Sequence, residues 1–445
     1  MKIAIFTNKT IFLANIHTKI THLDNSFLLN EISEQELFST LSKMSLNKSP
    51  GIDGIPVEFF IDLWDIIKNE MCQIYNGIIS NLKLEGNQNL GIITLISKEN
   101  EDAEKLSSWR PISLLCVDTK ILAKLFAERL KMVIDKVIHP NQYCVPNKTI
   151  VDCNNQMRDL VYFCNSENLP GCIINLDWSK AFDKVNIDFL CKIMCKMGFS
   201  NSFINIILIF YVDRTSKCLI NGNLTEDFKI ERGVRQGCPL SMLLFIISQE
   251  PLYTSIDKCS KILPFKMPNS SLKLQGYADD TNFVLSDDQS ICEVFKMVRD
   301  FADAAGASLN LNKTKIFGMG LWSGRIRWPI NEIKIETQYL NVLGIKHANS
   351  YQTSIDTCWS EIHDRIQNKS KTMLNRKLTI FQKSVIINCI LTSQIWYRAQ
   401  TYPLSLAWSK KINRILLNFL WGNKSNPVKH ETLTLDKKRR GIIFN

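Results

Sequence analysis

Two adjacent carboxylates, Asp279-Asp280, sit between two apolar, strand-like runs in residues 272–285. Like charges repel at that spacing, and an ordinary hairpin turn favours Asn-Gly or Asp-Gly there. A divalent cation removes the repulsion by taking both groups as hard oxygen ligands. A two-metal centre also needs a carboxylate from a second backbone segment. Asp177 meets that need, because residues 172–176 (Cys-Ile-Ile-Asn-Leu) read as a short strand that delivers it at the C-terminal end. Taken alone, an Asp-Asp turn reads far more readily as a solvated polar tip, which is the reading of Asp287-Asp288.

Mixed strands and helices surround this centre. Ser33-Glu-Gln-Glu36 reads as a capping box that opens a helix with Leu37, Phe38, Leu41 and Met44 on one side. Residues 47–56, with Pro50, Gly51, Gly54 and Pro56, form a rigid, turn-rich loop. Residues 90–96 are a β-like run ending at Lys98, and residues 118–138 have the apolar spacing of one long helix. Residues 203–212 carry no charge, as in a buried helix. The C-terminal part shows two helical segments, near 380–397 and 407–421, the second closed by Gly422 at C′. This order predicts an α+β chain rather than a doubly wound sheet.

Of 445 residues, 45% are apolar and 22% charged, which excludes a disordered or fibrous chain. Fourteen cysteines lie scattered without a C-x-x-C pair or zinc spacing, as expected of thiols in a reducing compartment. The N-terminal apolar run stops after four residues, too early for a signal peptide. The longest uncharged stretch, 197–212, spans 16 residues with two Asn and two Ser, too short and polar for a membrane span. A soluble intracellular protein is the expectation. Charge is distributed unevenly. Residues 1–350 hold 38 Lys+Arg and 38 Asp+Glu, whereas residues 351–445 hold 16 and 5 and so carry the whole +11. That suits a polyanionic partner, most often nucleic acid, although a solvated basic face has the same composition.

Six motifs in order then carry a family resemblance. Tyr277-Ala278-Asp279-Asp280 resembles the Y-x-D-D box of reverse transcriptases, and Asp177-Trp-Ser-Lys-Ala-Phe-Asp183 resembles their first palm motif. Arg232-Gly-Val-Arg-Gln-Gly-Cys-Pro-Leu-Ser241 is similar to the motif supporting template and nucleotide, and Trp109-Arg-Pro-Ile-Ser-Leu-Leu115 to the fingers motif. Gly306-Ala-Ser-Leu-Asn-Leu-Asn-Lys313 and Val342-Leu-Gly-Ile345 resemble the last palm motif and the primer grip. Lys48-Ser-Pro-Gly-Ile-Asp-Gly and Trp421-Gly-Asn resemble the non-LTR (LINE-type) retrotransposon branch. The resemblance implies a right-hand polymerase of fingers, palm and thumb, with an antiparallel palm sheet and a helical thumb. Residues 1–70 would be a helical extension leading into the fingers, 79–348 fingers and palm, and 351–445 a basic, thumb-like segment.

It also implies RNA-directed DNA synthesis from dNTPs on an RNA template and a DNA primer, with two Mg²⁺ ions that Mn²⁺ can replace. Asp177 and Asp279 then stand as direct metal ligands and Asp280 as the auxiliary carboxylate. Phe182, five residues after Asp177, holds the place of the ring that excludes a ribose 2′-hydroxyl; a core aromatic is the alternative. Arg110 and Lys98 correspond to fingers cations that meet the triphosphate, a task suited to the fixed fork of Arg. For Lys98 a plain surface cation is the stronger reading. Gln236 and Gly237 match the turn that lets backbone approach the base pair. Lys313 matches a general acid for pyrophosphate, with a surface lysine as the rival account. Leu343 and Gly344 fall in the primer grip. Lys410, Lys411 and Arg414 lie between Trp408, Ile412, Ile415, Leu416, Phe419 and Leu420, so one helix can pack and still offer cations to a duplex.

Whole elements of this kind resemble fusions with an endonuclease and often a Cys/His-rich tail. Neither reads here, so the expectation is a polymerase portion, as a fragment or decayed copy; a nuclear location would follow from the family alone. Two rivals remain. An RNA-dependent RNA polymerase shares the palm logic, but usually resembles a Gly-Asp-Asp turn with polar residues that read a ribose. A non-catalytic nucleic-acid-binding remnant would keep the motifs without activity.

Overall fold

The computed structural model describes residues 9–98, 102–422 and Val428. The chain forms two compact units. One takes the chain up to Lys148, then Leu176–Pro264 and Leu272–Thr314; the other takes Thr149–Asn175, Phe265–Ser271 and the chain from Lys315.

In the first unit, strand Leu90–Ser97 pairs antiparallel with Trp109–Leu115 and parallel with Thr215–Ile220. Helix Val117–Lys131 buries Ile121, Leu122, Leu125, Phe126 and Leu130. It is shorter than the periodicity of residues 118–138 predicts. The backbone leaves the α conformation at Val133 (φ −123°) and continues as a 3₁₀ turn, Ile134–Lys136. Val133, Ile134 and Val137 stay buried through the break, which is why the apolar spacing conceals it. The uncharged run is the short helix Asn201–Leu208, with Phe203, Ile204, Ile206 and Ile207 inward. Helix Ser241–Lys258 is buried nearly all round. Helix Asp288–Ala305 sets Phe301 edge-on to Phe12 and Trp178.

Helix Glu34–Ser42 opens where expected, with Ser33 Oγ accepting from the Glu36 N–H. The carboxylate of Glu36 does not complete the box. It accepts from Nε and Nη2 of the buried Arg129, both at 2.7 Å. Arg129 Nη1 also donates to the carbonyls of Leu28 and Asn30. A bidentate, charge-assisted pair is stronger than a solvated cap, so the long-range partner wins.

In the second unit, Pro170–Leu176 pairs antiparallel with Lys315–Gly320, which takes Lys334–Glu336 as a parallel neighbour. Helices Tyr351–Leu374 and Leu406–Trp421 build a core of Ile355, Trp359, Ile362, Ile412, Leu416 and Phe419. The 24-residue helix Tyr351–Leu374 is one that the sequence reading leaves out, because polar residues separate its apolar positions. The 380–397 segment resolves into Ile380–Ile386, a π turn at Ile387–Leu391 and Ser393–Ala399. Gly422 ends Leu406–Trp421 in the left-handed region (φ 68°), which a glycine enters without steric cost. Asn423 of the Trp421-Gly-Asn motif and the basic tail beyond it, Val428 excepted, lie outside the described residues, as do residues 1–8. No helix among the described residues is long and apolar enough to cross a membrane.

Candidate active site

Asp279 lies in a two-residue turn. Strands Leu274–Tyr277 and Asp280–Leu285 pair antiparallel, with Tyr277 opposite Asp280, so Ala278-Asp279 forms the loop. Ala278 has φ 55°, at the position where such a turn prefers glycine, which for an L residue costs roughly 1–2 kcal/mol. That conformation is held from beneath. Gln142, 1% exposed, accepts through Oε1 from the Ala278 N–H (3.3 Å) and the Cys144 N–H (3.1 Å). Gly276 donates to the Asn141 carbonyl (2.9 Å) and accepts from the Tyr143 N–H (2.8 Å). A Cβ on Gly276 would lie 2.3 Å from Tyr253 Oη, which is itself hydrogen-bonded to Thr281 Oγ1 at 2.7 Å. The His139 N–H donates to Glu250 Oε2 (2.8 Å), anchoring the start of this segment. Burial pushes the Glu250 carboxyl up to about 7. Sequence reading does not find Gln142, His139, Tyr253 or Glu250; the only local signal is the Pro140-Asn141 turn pair after a long apolar run.

Asp177 follows strand Pro170–Leu176. Its N–H donates to Thr314 Oγ1 (3.3 Å) and its carbonyl accepts from the Asn310 N–H (2.9 Å). The Ser179 N–H bonds to the Ser308 carbonyl (2.8 Å), and Trp178 bridges Leu309, so segment 177–179 is clamped against 308–310. The three aspartates feel one another. Burial raises the Asp177 carboxyl, opposed by the charge of Lys313, a hydrogen bond from Asn310 and the charge of Lys98. Asp279 has solvent access at the tip, yet surrounding protein raises it, as does Asp177, with Arg110 opposing. Asp280 is pushed up to about 6 by burial, then by Asp279 and Asp177. The site thus gathers Asp177, Asp279, Asp280, Lys98, Arg110 and Lys313 in the first unit.

Among the described residues, the set whose ligand atoms all approach within 4.8 Å is a different one: Asp53, Cys116 and Asp118. Without a metal, its thiol is pushed up to about 11 by burial and by Asp53, so Cys116 is a protonated neighbour of the two carboxylates. The Asp177–Asp279–Asp280 oxygens are more widely spread. Their donor chemistry, all carboxylate oxygen with raised protonation, fits hard divalent cations, whose charge would remove the repulsion.

Phe182 begins a 3₁₀ turn, Phe182–Lys184, and stacks on Phe245 (centroids 4.9 Å, planes at 27°) while remaining half-buried. Its carbonyl accepts from the Val234 N–H (2.8 Å), tying it to the Gln236–Gly237 segment. Gln236 accepts from the Ser113 N–H (2.7 Å) and its Nε2 donates to Asp183 Oδ1 (3.4 Å). Gly237 has φ 113°, and a Cβ there would lie 2.5 Å from the Ser113 carbonyl oxygen. The requirement for glycine is therefore already met inside the protein, by the approach of the two backbones.

Leu343 and Gly344 lie in the second unit. Both have positive φ (49° and 82°) in the two-residue turn between Leu340–Val342 and Ile345–His347. Tyr397 Oη donates to the Leu343 carbonyl (2.5 Å) and Arg398 Nη2 to the Gly344 carbonyl (3.2 Å). Lys410, Lys411 and Arg414 are exposed on helix Leu406–Trp421, whose opposite face buries Ile412, Leu416, Phe419 and Leu420. Lys411 Nζ lies 4.0 Å from the Trp408 ring centroid, and Trp408 Nε1 donates to Asp356 Oδ1 (2.9 Å).

Asp177, at a strand end, and the Asp279-Asp280 pair, on a hairpin, are thus coupled through their charges. Residues 96–347 match the family described as reverse transcriptase (RNA-dependent DNA polymerase), and the chain belongs to that family, whose fold is the right-hand polymerase. The chain is 30% identical to the transposon TX1 uncharacterized 149 kDa protein of Xenopus laevis over 401 residues, which is 88% of this chain and 30% of that protein. It is 27% identical to the retrovirus-related Pol polyprotein from type-2 retrotransposable element R2DM of Drosophila melanogaster, covering 89% of this chain and 38% of that one. With the RNA-directed DNA polymerase from mobile element jockey, also of Drosophila melanogaster, it shares 24% over 63% of this chain and 30% of the relative. The chain thus spans about a third of the length of these relatives.

Proposed function

We propose that this chain is the polymerase portion of a non-LTR retrotransposon protein, extending a DNA primer on an RNA template with dNTPs. The observation that carries the reading is the convergence of Asp177 with Asp279 and Asp280, each raised by burial, with Asp280 raised further by both neighbours. Bound divalent ions, taken to be Mg²⁺, would activate the primer 3′-hydroxyl and neutralise the triphosphate. Asp177 and Asp279 hold them, and Asp280 adds the auxiliary charge. Arg110 and Lys98 draw the triphosphate in, and Lys313, near Asp177, supplies a proton to the departing pyrophosphate. In this reading residues 1–70 extend the fingers, 79–348 form fingers and palm, and 351–445 act as a thumb. The test is primer extension on poly(rA)/oligo(dT) with Mg²⁺ and each nucleotide type. Synthesis from dTTP supports the proposal, and failure with all templates and both Mg²⁺ and Mn²⁺ overturns it.

Two further results are expected. Phe182→Val removes the bulk of the ring and raises ribonucleotide use relative to deoxyribonucleotide by about tenfold or more, an effect of roughly 1.4 kcal/mol or larger. An unmoved ratio of kcat/KM values would make Phe182 a packing partner of Phe245 alone. Replacing Lys410, Lys411 and Arg414 with Gln lowers primer–template affinity without regard to sequence, because each phosphate contact contributes about 0.9 to the salt slope. Processivity falls, while single addition at saturating duplex stays near normal. An unchanged slope in a salt titration of binding would remove this face from the duplex path.

A further inference from the structure

Two arginines in the first unit are buried with no acid among the described residues to balance them. Arg214, 1% exposed, immediately precedes strand Thr215–Ile220. Its Nε donates to the Ile230 carbonyl (3.1 Å), and its guanidinium lies 5.1 Å from the Tyr211 ring centroid. Nη1 and Nη2 are fully enclosed, and neither finds an acceptor among the described residues. Arg235, 8% exposed, sits near enough for the two charges to repel. Its Nη2 donates to the carbonyls of Asn89 (2.6 Å) and Thr215 (3.0 Å), but its enclosed Nε has no acceptor among the described residues. No Asp or Glu among the described residues pairs with either arginine. Asn89 Oδ1 is an unpartnered neutral acceptor nearby and cannot balance two positive charges.

Burying one unpaired charge costs several kcal/mol, and two of the same sign cost more than their sum. The usual remedy, a neighbouring carboxylate, is missing among the described residues; loss of the proton is barred by the high intrinsic basicity of guanidinium. We propose that Arg214 and Arg235 enclose one small inorganic anion of halide size, bound by Arg214 Nη1 and Nη2 and Arg235 Nε. Size follows from enclosure: donors this buried are out of reach of a nucleotide or a nucleic-acid backbone, whereas a chloride-sized ion replaces a single water. Burial and Arg214 together pull the Arg235 guanidinium down to about 10, a strain that an anion relieves. The site has a structural consequence for its neighbours. Ser241 Oγ donates to the Arg235 carbonyl (2.7 Å), and the next residue, Gln236, pairs with Ser113. An anion that fixes Arg235 therefore fixes the Gln236–Gly237 turn against its strand.

The test uses the full chain and no enzymatic readout. Crystals grown in bromide should show an anomalous peak within hydrogen-bonding distance of Arg214 Nη1 and Nη2. In melting experiments at matched ionic strength, potassium chloride or bromide should raise the midpoint over potassium gluconate, saturably, by about 2 °C per tenfold of halide above its dissociation constant. Arg214→Met keeps the stem and removes the charge; its midpoint should no longer distinguish halide from gluconate. Ordered water without anomalous signal would overturn the proposal, as would an equal halide increment in Arg214→Met. Stabilisation by inorganic phosphate with no bromide peak would overturn it too. If the variant does not fold, the bromide and melting arms on the unaltered chain decide.

Discussion

Asp279→Asn is expected to lower primer extension by about three orders of magnitude or more while leaving the fold intact. The substitution preserves shape at a turn whose backbone is held by Gln142 and the Tyr277–Asp280 pair, neither of which uses the Asp279 carboxylate. On the proposed assignment, what it removes is a charged oxygen ligand for the divalent ions. Removing a single preorganised electrostatic group typically costs 10²–10³, and loss of a metal ligand adds the loss of the ion itself. Asp177→Asn should act similarly, since its position is set by main-chain bonds to Asn310 and Thr314. Single-turnover extension beside circular dichroism and melting separates chemistry from folding. Near-normal synthesis by Asp279→Asn would remove the hairpin from catalysis.

Metal binding and acidity should be coupled, with a sign that follows from the carboxylates. Asp280 stands at about 6 in the folded chain against 3.8 ordinarily, and Asp177 and Asp279 are also raised. For an acid raised on folding, the folded state binds more protons. The metal-free chain therefore loses stability as pH climbs through the window from about 4 to 6, and the Asp280 penalty of at most about 3 kcal/mol is complete above it. Asp280→Asn should accordingly raise the metal-free melting midpoint at pH 7.5 and leave it little changed near pH 4. Divalent cations must displace those protons, so their affinity for the unaltered chain should fall at least about tenfold between pH 7.5 and 5. Calorimetric titration with Mg²⁺ or Mn²⁺ measures this; an affinity flat across that range would mean that ions bind elsewhere.

Much of the site is legible because its parts are local. A strand that ends on Asp177, a hairpin that carries Asp279-Asp280, the Ser33 cap and the Gly422 stop each depend on residues a few positions apart. Short-range periodicity and turn chemistry are enough to place them. Motif order then carries the chain to its family. Periodicity misleads where two conformations share one apolar spacing, as at Val133, where α gives way to 3₁₀ without exposing a side chain.

Sequence by itself determined the α+β class, the strand end and hairpin bearing the three aspartates, and the family, because these rest on local pattern and ordered motifs. Tertiary structure alone decided what surrounds them. It turned Glu36 from a cap to a partner of Arg129, placed Gln142 under the left-handed Ala278, and set Gly237 against Ser113. It also enclosed Arg214 and Arg235 without a counter-charge among the described residues. Each of these outcomes depends on partners that are distant in the chain, and burial decides the energy of each. A charge or an amide costs little in water and several kcal/mol once enclosed, so which partner it finds is settled only when the chain closes around it.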